Sequence, residues 1–274
     1  MEKEADAALL WRQLVAAGGR KGEGDADPWS RRAVSYARQV KDRGTRKDAA
    51  RRFMVELLDQ HPGSTLLDIG AGTGAWACLL APHAARVTAL DPSPAMRAIL
   101  ADNLRAEGLG NVEIVAGAWP EAEVEAHDIS FCSHAMYGVL DLPRFIRRMQ
   151  AVTRTCCVLL MRAPAADGVM AEIARSVWGH PHDSANFQVA YQCLLQMGIF
   201  ADVRFLAGES WQPWSHESLE AALEEVKRRL GLGGDDRHDA RIRAILERRL
   251  VFEDGRYVWP AAMRTALVHW FRTP

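Results

Sequence analysis

The chain has 274 residues, 49% of them hydrophobic, enough to bury a full core as one large domain or one domain with appendages. Its net charge of −1 gives no global electrostatic case for nucleic acid or an anionic membrane as partner. No apolar run approaches the roughly 20 residues that span a bilayer, the acidic start is not a secretory signal, and Cys78, Cys132, Cys156, Cys157 and Cys193 form no CxxC pair; these features predict a reduced cytoplasmic protein with buried thiols.

In chain order, the first sixty residues read as helices near 5–17, 28–42 and 46–60. The last has Thr45 as N-cap with Asp48 three residues on, and Ala49, Phe53 and Leu57 at helical spacing. The pattern then changes. Short apolar runs, "TLLDIG", "RVTALD", "VEIVAG", "DISFCS" and "CVLLMR", alternate with helices near 74–82, 94–107 and 142–153. Such alternation predicts a mainly parallel sheet with right-handed crossovers. A short helix, a helix near 184–198 and the strand "ADVRFLA" follow. The last sixty residues hold a charged helix, the break "GLGGDD", a second basic helix, and a hairpin turning at Asp254-Gly255. "RTALVHWF" closes the chain as a strand returning to the sheet. The expectation is an α/β, Rossmann-like, doubly wound sheet of seven strands with an antiparallel C-terminal strand. Its parts are a helical cap (1–59), a core (60–208), a helical and hairpin insertion (209–262) and the last strand (263–274).

Gly70, Gly72 and Gly74 fall between the first strand and the helix it feeds. Ligands of open α/β sheets bind at this place, outside the carboxyl ends of the strands. Asp91 ends the second strand seventeen positions after Gly74, where an acidic side chain accepts hydrogen bonds from ribose hydroxyls. Gly70-x-Gly72-x-x-Ala75 satisfies the relaxed dinucleotide fingerprint, so NAD is one candidate. S-adenosylmethionine is the other, and Asp68 separates them. A carboxylate beside the glycines repels pyrophosphate but suits a cationic amino-acid moiety.

The segments "LLDIGAGTGAWACLLA", "RVTALDPSPAM", "VEIVAGAWPE" and "HDISFCSHAMYGVLDLPRFIRRM" resemble, in order and spacing, four motifs of the class I S-adenosylmethionine-dependent methyltransferases. The resemblance covers residues 60–165, and more loosely "VRFLA" and "RTALVHWF". It implies that Gly70, Gly72 and Gly74 line the cofactor's amino-acid part and that Asp68 meets its ammonium. It further implies that Asp91 holds the ribose, while Pro92, Ser93 and Met96 flank the adenine. Ala118 stands where many members carry an acidic residue, so main-chain contacts at Ala118 and packing by Trp119 replace it. "TRTCC" replaces the usual Gly-Gly turn before the fifth strand.

His134 and Tyr137, just past the fourth strand, are the candidates for base or orienter where the acceptor meets the methyl group; each is equally readable as a packed side chain. His180, His182 and Asp183 in "WGHPHD" are of ligand type, but no second cluster joins them, and no metal is expected. Trp29, Trp211 and Trp214 either wall the pocket or bridge the helical extensions to the core. Residues 31–52 carry nine Arg/Lys against Asp42 and Asp48, a solvated basic face or a site for an anion or RNA. Together these features predict a methyltransferase acting at oxygen or nitrogen of a small molecule by in-line displacement. The alternatives are an NAD-dependent oxidoreductase, an RNA methyltransferase, a non-catalytic cofactor binder, and a winged-helix nucleic-acid binder over 217–260. No membrane or nucleic-acid partner is expected.

Overall fold

The computed structural model describes residues 6–19, 49–206 and 213–272. Trp29, Trp211, the helix expected over 28–42, the Thr45–Asp48 capping pattern and positions 31–48 of the basic stretch lie outside the described residues.

Ten strands form two sheets among the described residues. The large sheet contains β1 (Thr65–Ile69), β2 (Arg86–Asp91), β3 (Val112–Ala116), β4 (His127–Ser133), β5 (Thr153–Pro164), β6 (Asp202–Leu206) and β10 (Met263–Phe271). Its order is β3-β2-β1-β4-β5-β10-β6. β1 pairs in parallel with both β2 and β4, and β10 runs antiparallel to β5 and β6. The chain winds outward from β1 to β3, then restarts at β4 on β1's other edge. The strand order therefore reverses between β1 and β4, which opens a crevice at their carboxyl ends.

Side chains along a strand alternate faces, and both faces of this sheet are covered. In β5, Val158 and Leu160 enter the core beneath α2 (Ala49–Gln60), α3 (Ala75–Leu80) and α4 (Pro94–Glu107). Leu159 and Met161 enter the opposite core, under α1 (Ala7–Gly19), α5 (Leu142–Ala151) and α7 (Phe187–Gln196). The expected helix at 184–198 begins later, at Phe187, because the Asn186 side chain accepts from the Val189 N–H at 3.3 Å and sets the N-cap there. Fully buried Trp11 on α1 donates through Nε1 to the Val139 carbonyl at 2.7 Å. The N-terminal helix is thereby tied to the segment that follows β4.

A third core lies between α6 (Val169–Trp178), α8 (Leu219–Leu230) and α9 (Asp239–Arg249), closed by Trp259. Buried Lys227 links two parts of it, its Nζ donating to Asp236 at 2.5 Å and Asp239 at 3.0 Å. The expected hairpin, β8 (Val251–Glu253) and β9 (Arg256–Val258), turns at Asp254 and Gly255, both with positive φ of 48° and 73°. That is the type I′ geometry an Asp-Gly pair favours. β7 (Ser215–His216), which the sequence pattern did not disclose, pairs with β9 and completes a three-stranded sheet. All five cysteines are buried. Among the described residues, no helix is long and apolar enough to cross a membrane.

Candidate active site

The elbow after β1 is fixed from the backbone outward. Gly70, Gly72 and Gly74 all have positive φ, at 74°, 56° and 86°. Only glycine enters that region without strain. A Cβ on Gly70 would lie 2.3 Å from the Ala135 Cβ, and one on Gly74 would lie 2.1 Å from Leu100 Cδ1 on α4. The elbow thus needs both the left-handed turn and the bare surface. Asn103 on α4 donates to the Thr73 carbonyl at 2.9 Å and holds the loop from the far side.

Asp91 ends β2 and faces the elbow. One carboxylate oxygen accepts from the Gly72 N–H at 2.8 Å, and the other accepts from the Ser93 N–H at 2.9 Å. Ser93 in turn caps α4 by accepting from the Met96 N–H. Pro92 is exposed and Met96 is buried. Ala118 is exposed, but Trp119 turns inward: its indole lies edge-on to Phe145 and donates through Nε1 to the Phe145 carbonyl at 3.2 Å. Trp119 is a core side chain, because that carbonyl satisfies the indole N–H where it is buried.

Asp68 occupies the base of the elbow, 1% exposed. Its Oδ2 is buried with no hydrogen-bond partner. Burial, and then the negative charge of Asp91, push its pKa from 3.8 up to about 7, against the opposing pull of the Ala77 N–H. A buried carboxyl with an orphaned oxygen, facing a second carboxylate, is a poor neighbour for phosphate and a good one for a cation. The residues present therefore fit the ammonium-bearing end of S-adenosylmethionine better than a phosphate.

Past β4 the chain enters an unusual turn. His134 has φ of 57°, a left-handed conformation rare for a residue with a Cβ, while its N–H continues the ladder to the Leu160 carbonyl at 3.0 Å. Its Nδ1 lies 3.2 Å from the Tyr137 hydroxyl. That hydroxyl also accepts from the Arg162 main-chain N–H at 2.5 Å, and the Arg162 guanidinium covers the Tyr137 ring at 4.0 Å. Burial raises the Tyr137 pKa. His134, Tyr137 and Arg162 form one cluster at the ends of β4 and β5, beside the elbow that Ala135 touches. Sequence reasoning missed Arg162; the available signal was an arginine closing the apolar run "CVLLM".

The other residues singled out from sequence take different places. The Asn186 side chain lies 3.3 Å from His182 Nδ1, and the Ser184 hydroxyl donates to Asp183. Burial lowers the His182 pKa. Among the described residues, no three His, Cys, Asp or Glu side chains converge as a metal-ligand set. Trp214 packs edge-on against Trp259 and under the Arg229 guanidinium at 3.7 Å, so it belongs to the third core. Cys132 lies under the elbow as an inert thiol, pushed by burial up to about 12.

Comparison with known proteins follows the same lines. Residues 66–156 match the family model described as a methyltransferase domain. The chain is 32% identical over 164 residues to the malonyl-[acyl-carrier protein] O-methyltransferase of Serratia marcescens, a match covering 58% of this chain and 61% of that one. The chain thus spans about three fifths of that relative's length. Among solved structures, the YcgJ protein of Bacillus subtilis aligns with a TM-score of 0.52 and 15% identity over 81% of this chain and 99% of its own. A geranyl diphosphate methyltransferase solved in complex with SAM aligns at 0.52 with 14% identity, over 94% of each chain. At these identities the two structures attest the fold alone.

Proposed function

We propose that the chain is a class I S-adenosylmethionine-dependent methyltransferase that transfers a methyl group to oxygen or nitrogen of a small-molecule acceptor, a reading supported by the methyltransferase-domain match over residues 66–156 and by the similarity to the Serratia relative. The observation that carries the choice of cofactor is Asp68, a buried carboxyl with one oxygen unpartnered and a second carboxylate beside it. Pyrophosphate at this elbow meets the Asp91 carboxylate and opposes ionisation of the buried Asp68, whereas an ammonium favours the Asp68 carboxylate and partners its orphaned oxygen. That argument favours S-adenosylmethionine over NAD and sets the oxidoreductase reading second.

In this reading Gly70, Gly72 and Gly74 admit the amino-acid part against the main chain, and Asp68 takes its ammonium. Asp91, oriented by the Gly72 and Ser93 N–H groups, accepts from the ribose hydroxyls. Pro92, Ser93, Met96 and the main chain at Ala118 border the adenine; Trp119 backs that wall from inside the core. When bound, the cofactor supplies an electrophilic methyl group for in-line displacement, a reaction in which positioning provides most of the acceleration. His134 and Tyr137 orient the acceptor, and His134 takes a proton where the acceptor atom must lose one. The 3.2 Å contact between His134 Nδ1 and the Tyr137 hydroxyl fixes the imidazole plane for that purpose. An acceptor oxygen agrees with the printed name of the Serratia relative, an O-methyltransferase. A nucleic-acid acceptor draws no support from basic α9, where Arg243 pairs with Glu220 and both Arg248 and Arg249 pair with Glu172.

Calorimetric titration tests the proposal. S-adenosylhomocysteine is expected to bind with one-to-one stoichiometry and NAD not at all. Binding of NAD without S-adenosylhomocysteine transfers the case to the oxidoreductase.

A further inference from the structure

Arg162 sits in β5 two residues beyond Leu160, the residue whose carbonyl takes the His134 N–H. It therefore stands at the carboxyl ends of the strands, on the acceptor side of the crevice. The face of its guanidinium is covered by the Tyr137 ring at 4.0 Å. Cation–π stacking of this kind uses the face and leaves the in-plane N–H edge to bind something else. On that edge, Nη2 makes one long contact of 3.4 Å to the Ala185 carbonyl, and Nε is buried with no hydrogen-bond partner. Among the described residues no carboxylate pairs with Arg162. The helical part around the third core differs: on its surface Arg228 and Arg229 both pair with Glu225, and Arg237 with Asp235. A buried guanidinium N–H without an acceptor is costly, and a planar anion set against this edge would accept from Nε and Nη2 together.

Two further features place the ligand. Ala185 belongs to the loop with His180, His182 and Asp183, and its contact to Arg162 draws that loop over the end of β5. Tyr137 joins Arg162 to His134, so an anion held on Arg162 lies in the same cluster as the residues assigned to the acceptor.

We propose that Arg162 determines acceptor specificity: its in-plane N–H edge binds a carboxylate of the methyl acceptor, so the acceptors of this protein are small organic acids. This rests on the methyltransferase reading above. A fixed positive charge at this point favours anionic acceptors and repels cationic amines, which narrows the choice between oxygen and nitrogen acceptors to those carried by acids.

The test separates this inference from that reading by measuring cofactor and carboxylate binding on the same samples. Wild type, Arg162→Gln and Arg162→Lys are titrated with S-adenosylhomocysteine, then, when loaded, with benzoate, hexanoate and malonate and with the matching amides. The expected result is saturable binding of at least one carboxylate to loaded wild type and of none of the amides. Arg162→Gln is expected to weaken that binding tenfold or more and Arg162→Lys less, both keeping S-adenosylhomocysteine affinity within twofold of wild type. That unchanged affinity also shows that the variants fold. Wild type that binds S-adenosylhomocysteine but no carboxylate overturns the proposal, as does equal carboxylate binding by wild type and Arg162→Gln. Failure of wild type to bind S-adenosylhomocysteine overturns the methyltransferase reading itself, and this inference with it.

Discussion

Asp68, next to last in β1, and Asp91, last in β2, lie near the carboxyl ends of adjacent parallel strands, and the charge of Asp91 helps to hold the Asp68 carboxyl up at about 7. The two differ in what surrounds them. Asp91 receives two backbone N–H groups, whereas Asp68 keeps one oxygen buried and unpartnered. The sign of the consequence follows from linkage. Below the ordinary carboxyl value of 3.8, Asp68 is neutral in folded and unfolded chains alike. Between 3.8 and about 7 the unfolded chain ionises while the folded one stays protonated, so Asp68 makes stability fall as pH rises, by on the order of 1.4 kcal/mol per unit. Above about 7 the penalty is constant. Asp68→Asn is therefore expected to raise the melting temperature relative to wild type at pH 8 and to leave it nearly equal at pH 4. A variant less stable than wild type at pH 8 contradicts this account.

The same titration governs the cofactor. An ammonium needs the carboxylate form, so affinity for S-adenosylhomocysteine is expected to rise as pH increases toward 7, by up to tenfold per unit, and to level off above it. Asp68→Asn should bind at least tenfold more weakly at pH 8 and show no such rise. Calorimetry between pH 5.5 and 8.5 reads both, and a wild-type profile flat across that range rules out the ammonium contact.

Asp91→Ala removes the acceptor of the Gly72 and Ser93 N–H groups and the proposed partner of the ribose. Loss of a charged hydrogen-bond partner corresponds to roughly 1.5–3 kcal/mol, so cofactor affinity should fall tenfold or more. Asp91→Asn isolates the electrostatic part: with the neighbouring charge gone, the midpoint of the pH–affinity profile should move below that of wild type. An unshifted midpoint would mean that burial alone sets the Asp68 pKa.

Much of this site was legible from sequence because its demands are local. Three left-handed glycines in five residues advertise an elbow, and an acid at the end of the next strand stands a fixed distance away. The strand alternation likewise announced a sheet covered on both faces. The missed contacts join distant positions. Trp11 reaches Val139 across 128 residues, and Arg162 reaches Tyr137 across 25, so no spacing rule links them. Trp119 read from sequence as packing beside the adenine, whereas its indole is buried and donates to the Phe145 carbonyl, a contact across 26 residues that no spacing rule discloses. β7, two residues long, is too short to carry a period and exists because β9 offers it an edge.

Glycine positions let strain and packing be separated. Gly63 and Gly74 have similar φ, 79° and 86°, but an added Cβ meets nothing within 4 Å at Gly63 and meets Leu100 Cδ1 at 2.1 Å at Gly74. Gly63→Ala is expected to cost roughly 1–2 kcal/mol from backbone strain alone. Gly74→Ala should cost that plus roughly 1–3 kcal/mol for displacing a fully buried leucine. Chemical denaturation of both variants measures the difference, and equal losses would show that α4 yields freely at Leu100.

Tyr137→Phe tests whether the cluster past β4 serves the acceptor or only the fold. The hydroxyl accepts from the Arg162 main-chain N–H at 2.5 Å and lies 3.2 Å from His134 Nδ1, so its removal takes the acceptor from a partly buried N–H. A loss of roughly 1–3 kcal/mol of stability is expected on that ground. The phenyl ring still supports the Arg162 guanidinium, and the glycine elbow is untouched, so S-adenosylhomocysteine affinity should stay within twofold of wild type. Turnover with an organic-acid acceptor should fall tenfold or more, because His134 loses the contact that fixes its ring. If turnover per folded molecule is unchanged while stability drops, the hydroxyl is a structural acceptor for the end of β5, and the orienting role passes to His134 alone.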